Sequence, residues 1–135
     1  MSLSTAFYWR YKLLNIVSSH VNRIKLNGVL ESDDTFFSVS MKCSTPKDRP
    51  AKKRGEPARK RGLSRDKVCV TCAVSRNGNI HSKVATLGRA TSGVLKKVLR
   101  KRISDTAILC TDKDSAYRRF AENAELRLVQ VKQNM

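Results

Sequence analysis

Two apolar runs, Val68–Ser75 and Ile80–Leu87, flank the segment Arg76-Asn-Gly-Asn79. An Asn-Gly step takes up the positive-φ backbone that a tight reversal between twisted strands requires, so this stretch commits the chain to a β-hairpin. A lone hairpin is marginal in water and needs further strands or a helix against its apolar face. The flanking residues supply both. Upstream, Asn27-Gly28 is a turn signal, and Val29–Val39, with Thr35, Phe36 and Phe37, reads as a strand. Downstream, Thr91 or Ser92 can cap a helix whose apolar positions are Val94, Leu95, Val98, Leu99 and Ile103, with Lys96, Lys97, Arg100 and Lys101 facing out. Ala107–Thr111 is a short apolar strand. Ser115–Ala124 is a helix with Ala116, Tyr117, Phe120 and Ala121 inward, and Leu126–Val131 is a last strand. Before all of these, Thr5–Asn22 carries Ala6, Trp9, Leu13, Ile16 and Val17 at helical spacing, with Ser4 as the candidate N-cap and Arg10 and Lys12 off the stripe.

The order is helix, three strands, helix, strand, helix, strand. Three consecutive antiparallel strands followed by alternating helix and strand is the element order of an α/β domain with the ribonuclease H-like fold, although other mixed folds share it. At 135 residues, 40% of them hydrophobic, the chain is long enough for one packed domain and short for two. No apolar run reaches the roughly 20 residues of a spanning helix, which excludes an integral helical membrane protein, and Met1–Arg10 has no secretory signal pattern.

Charge narrows the partner. There are 28 Lys and Arg against 11 Asp and Glu, a net +17. Self-repulsion of that size opposes a compact state unless a polyanion offsets it, and nucleic acid is the expected one. The charge concentrates between Lys47 and Arg61, where Lys47, Arg49, Lys52, Lys53, Arg54, Arg59, Lys60 and Arg61 stand against only Asp48 and Glu56. This segment has little to bury and reads as a basic loop, 44–66 at its widest, suited to phosphate contact; the plainer account is a solvated linker.

The cysteines and histidines point to no chemistry of their own. Cys43, Cys69, Cys72 and Cys110 fit a reducing compartment, and a cytoplasmic, nucleoid-associated location is expected. Cys69 and Cys72 have zinc-ligand spacing, but on a strand residues three apart point to opposite faces, and no second pair follows. His20 and His81 are isolated and read as structural or surface residues.

Acidic residues are scarce, so their placement counts. Asp33 lies within the first strand, in Leu30-Glu-Ser-Asp-Asp-Thr-Phe-Phe37, and Asp112 follows the fourth, in Leu109-Cys-Thr-Asp-Lys-Asp-Ser-Ala-Tyr117. Carboxylates on neighbouring strands can share Mg²⁺ or Mn²⁺, hard cations that take oxygen ligands and retain water for phosphoryl-transfer chemistry. Glu31 shares a face with Asp33, whereas Asp34 points the other way and is the weaker ligand candidate. The plainer account has Asp33 or Asp34 as an edge-strand charge and Asp112 or Asp114 as a helix cap. For Asp114, capping is the preferred role. For Asp33 and Asp112, residue chemistry alone leaves both accounts open.

Three segments, Glu31-Ser-Asp-Asp-Thr-Phe-Phe37, Arg59-Lys-Arg-Gly-Leu-Ser-Arg-Asp-Lys-Val-Cys-Val70 and Thr111-Asp-Lys-Asp-Ser-Ala-Tyr117, resemble the ISXO-like group of bacterial insertion-sequence transposases of the DDE superfamily. The resemblance extends over essentially the whole chain. It implies a ribonuclease H-like catalytic domain that cuts DNA at transposon ends and joins the freed 3′-hydroxyl to target DNA, with homo-oligomers possible in the active complex. It also implies that Asp33 and Asp112 are catalytic and ligate Mg²⁺ or Mn²⁺. Asp34 stands where the family often has Glu. The family's third ligand lies on a helix well beyond the fifth strand, and its zinc ribbon and helix-turn-helix precede the catalytic domain. Against that pattern, residues 1–26 read as a remnant helix from the end of the helix-turn-helix region. Residues 27–135 read as a partial catalytic domain without its C-terminal part, so a truncated and catalytically impaired transposase is expected. A non-catalytic basic nucleic-acid-binding protein and a ribonuclease H-like nuclease are the alternatives.

Overall fold

The computed structural model describes residues 2–21, 23–39 and 62–131. Helix α1 (Leu3–Val21) is followed by strands β1 (Val29–Ser38), β2 (Lys67–Ser75) and β3 (Ile80–Leu87). Helix α2 (Ser92–Leu99), β4 (Ile108–Thr111), α3 (Ser115–Ala124) and β5 (Arg127–Gln130) complete the order. The five strands form one sheet in the order β3-β2-β1-β4-β5. β1 is antiparallel to β2, and β2 to β3. β4 lies parallel to β1 on its other side, and β5 parallel to β4. An antiparallel three-strand unit extended by two helix-linked parallel strands is the ribonuclease H-like arrangement that the element order predicts. It makes β1 the central strand, with its pairing to β4 ending at Glu31, two residues before Asp33.

The hairpin forms where Asn-Gly predicts it. Gly78, at φ +87°, closes a three-residue loop in which its N–H donates to the Ser75 carbonyl at 2.9 Å and the Ser75 N–H donates to that of Asn79 at 2.8 Å. This is the left-handed position that favours glycine in such loops.

One face of the sheet is covered. Leu30, Cys69, Ala73 and Leu109 pack with Leu95, Leu99, Tyr117, Phe120 and Ala121 of α2 and α3 in a single buried cluster. Both helices lie on this side because right-twisted parallel strands joined through a helix cross over with one hand. α3 is held at both ends. Asp114 is its N-cap and accepts from the Ala116 N–H at 2.7 Å. Its C-terminus closes in the Schellman pattern, with the Leu126 N–H donating to the Ala121 carbonyl at 3.0 Å and Glu125 in the left-handed region.

The opposite face carries Phe37, Val74, Ile80, Val84 and Val129, all exposed. Helix α1 has no buried residue. The stripe of Ala6, Trp9, Leu13, Ile16 and Val17 forms as spaced but meets no core among the described residues. The cap is Ser2 rather than Ser4: its Oγ accepts from the Thr5 N–H at 3.2 Å, because the helix begins two residues earlier than the stripe indicates. No helix among the described residues is long and apolar enough to cross a membrane.

Candidate functional site

The site is built on the middle of β1 and the C-terminal end of β4, two adjacent parallel strands. The β1–β4 register pairs Leu30 with Leu109 and Glu31 with Cys110. Asp33 lies two residues beyond that last pair, on the face of β1 opposite Asp34, and Asp112 lies two residues beyond it on the other strand's chain, just after β4 ends at Thr111. Both are exposed. On β1 the neighbouring carboxylate goes the other way. Asp34 is half-buried on the helix-covered side, opposite Thr71 of β2.

Asp33 and Asp34 are linked by backbone as well as by sequence, since the Asp34 N–H donates to Asp33 Oδ1 at 2.8 Å. The Asp34 carboxylate accepts from Thr71 Oγ1 at 2.7 Å and from Tyr117 Oη at 2.9 Å. Tyr117 is 2% exposed. Burial, followed by the nearby Asp34 charge, raises its phenol well above the ordinary range despite the contact with Ser32, so it remains a donor. Ser32 Oγ donates to the Cys72 carbonyl at 2.8 Å and lies 3.3 Å from Tyr117 Oη.

Around Asp112 the chain turns sharply into α3. Asp112 Oδ1 accepts from the Asp114 N–H at 3.2 Å, and the Gln130 amide donates to the Asp112 and Asp114 carbonyls at 2.8 and 3.1 Å. Asp114 receives Arg89 at 2.9 Å. Burial works to raise the Asp114 carboxyl, but the Ala116 N–H and the Arg89 guanidinium outweigh it and hold the group below its usual value. The Asp114 hydrogen bond and charge, with smaller contributions from Asp112 and Asp34, raise the Arg89 pKa above its ordinary value. Glu31, on the Asp33 face, pairs with Arg76 at 3.1 Å, but both side chains are more than half exposed and the pair adds little stability.

Of the two cysteines with zinc-ligand spacing, one is buried and one is not, because strand alternation sends them to opposite faces. Cys69 is fully buried on the covered face, with its thiol pushed up to about 11 first by burial and then by Asp34. Cys72 pairs with Asp33 across the strands on the other face. Among the described residues there is no group of three His, Cys, Asp or Glu able to hold a metal ion. Asp33 and Asp112 are hard oxygen donors of the kind Mg²⁺ takes, and they supply two ligands. The basic residues Lys47, Arg49, Lys52, Lys53, Arg54, Arg59, Lys60 and Arg61 lie outside the described residues. Thr71 and Arg89 carry no local sequence signal; both matter only through partners brought in by the fold.

The sheet order and its helix-linked crossovers define a ribonuclease H-like domain. The family model for the ISXO2-like transposase domain matches residues 25–134. The chain belongs to that family. Among solved structures, the crystal structure of a pre-cleavage Mos1 transpososome is similar at 14% identity and a TM-score of 0.41, covering 87% of this chain and 40% of that one. Comparison with curated proteins gives no match.

Proposed function

We propose that the domain serves DNA cleavage and strand transfer by an insertion-sequence transposase, with Asp33 and Asp112 as catalytic ligands of Mg²⁺ or Mn²⁺. The observation that carries this reading is that Asp33 and Asp112 stand at a common offset of two residues from the last pair of two adjacent parallel strands, β1 and β4. Bound there, a divalent ion supplies charge stabilisation and activation of an attacking oxygen in phosphoryl transfer. The chain's own contribution is to hold both carboxylates exposed while the backbone amides of Asp34 and Asp114 fix their rotamers. The net charge of +17 and the run from Lys47 to Arg61 support DNA, both transposon end and target, as the partner through phosphate contacts. We also propose that α1 belongs to a unit apart from the catalytic domain, whose core already includes Leu26, and that the 135-residue chain by itself is catalytically impaired.

The test uses the purified chain with a supercoiled plasmid and labelled duplex ends in Mg²⁺ and in Mn²⁺, scoring nicked, linear and joined DNA. Binding to DNA with little joined product is expected. Turnover abolished by Asp33→Ala would support the chemistry and overturn the impairment. Cleavage without joining would favour a nuclease. DNA binding with no aspartate-dependent metal affinity would favour a non-catalytic binding protein.

A further inference from the structure

Asp34 and Tyr117 form a contact that the metal-ligand reading does not use. Tyr117 lies in the first turn of α3, three residues after the N-cap Asp114, and its hydroxyl reaches 83 residues back to Asp34 on β1. At one end of this contact the Asp34 N–H fixes Asp33 Oδ1. At the other, α3 begins at Asp114, whose N–H holds Asp112 Oδ1. A closed path therefore runs from Asp33 through Asp34, Tyr117 and the start of α3 to Asp112, and the Tyr117 hydroxyl is its one link between strand and helix.

We infer that Tyr117 is a positioning residue that sets the relative placement of Asp33 and Asp112 by tying α3 to β1 through Asp34, which acts as an acceptor on the covered face and not as a ligand. The inference rests on the metal reading of Asp33 and Asp112. Three features support it. The carboxylate of Asp34 is directed away from the Asp33 face and is already engaged by two hydroxyl donors. The phenol is buried, so water cannot replace it at Asp34 without opening the helix–sheet contact. Thr71, the second donor, sits on β2, the strand paired directly with β1, so it satisfies Asp34 without reaching α3.

That last difference separates positioning from simple hydrogen-bond satisfaction. Mn²⁺ binding to the full chain is measured by electron paramagnetic resonance, with thermal unfolding of each variant alongside. Tyr117→Phe is expected to weaken Mn²⁺ on the order of tenfold while remaining folded, as loss of an outer partner of a metal site commonly does. Thr71→Val removes a donor but not the tether, and is expected to weaken binding less. Asp34→Asn keeps an acceptor oxygen for Tyr117 and should recover most of the affinity that Asp34→Ala loses. Asp33→Ala and Asp112→Ala should each abolish binding. Binding that depends on Asp33 and Asp112 but is unchanged in Tyr117→Phe overturns the positioning role alone. Equal losses in Tyr117→Phe and Thr71→Val overturn it in favour of generic satisfaction of Asp34. An Asp34→Asn loss as deep as Asp33→Ala makes Asp34 a ligand and overturns it as well. Binding indifferent to Asp33 and Asp112 overturns the metal reading and this inference with it.

Discussion

On β1 two adjacent aspartates are parted by strand alternation, one to the open face and one to the covered face. The alternation is readable from sequence because a strand has period two, and it separates Asp33 from Asp34 correctly. The partners of Asp34 are not readable, since Thr71 and Tyr117 reach it only through sheet register and helix docking. His81 shows the same limit. An isolated histidine in an apolar run carries no sign of its depth, yet it pairs with Ala73 on the covered face and is 3% exposed. Neither ring nitrogen has a hydrogen-bond partner among the described residues. Burial, then the charge of Arg102, lowers its pKa below 6.5, while the backbone of Val98 acts the other way without completing a hydrogen bond. A histidine buried neutral binds its proton more weakly folded than unfolded. Its contribution is therefore fully present above the unfolded value of about 6.5 and is lost as pH falls toward the lower folded value. Urea unfolding between pH 8 and 5 should show stability falling below about pH 6.5, and His81→Phe should flatten that part of the profile. An unchanged profile in the variant would place the titration elsewhere.

At the level of elements, the helix and strand bounds expected from apolar spacing agree closely with those observed except at α2, which ends at Leu99 and leaves Ile103 outside the helix, bridged to Leu26 and buried in the core. Ser115–Ala124 and its Asp114 cap are fixed by local chemistry alone. Helix α1 agrees in span but not in environment, because periodicity reports an apolar stripe and not what covers it. The conformation that closes α3 was not legible, although its last residue, Ala124, was. Its left-handed closing residue is Glu125, at φ +54°, where a glycine would have signalled the stop. A side chain in that region costs roughly 1–2 kcal/mol, partly offset on replacement by the extra unfolded-state freedom of glycine. Glu125→Gly should therefore raise unfolding free energy by about 0.5–1 kcal/mol, read as a higher urea midpoint at unchanged slope. A lower midpoint would mean that the Glu125 side chain contributes more than its backbone costs.

For the whole molecule, the element order was enough to indicate the sheet, because three linked antiparallel strands and two right-handed crossovers leave few topologies open. The order does not show which side of the sheet is left uncovered. That face carries Phe37, Val74, Ile80, Val84 and Val129, and it is the face toward which Asp33 points. The central claim is that Asp33 and Asp112, 79 positions apart in sequence by their numbers, meet there at one divalent ion. The most direct measurement loads the chain with Fe²⁺ in place of Mg²⁺, adds ascorbate and peroxide, and maps where hydroxyl radicals cut the backbone. The account predicts two cuts, one beside Asp33 and one beside Asp112, both suppressed by excess Mg²⁺ and both lost in either single Asp→Ala variant. Cutting at only one of the two segments, or cuts that survive both substitutions, would contradict it.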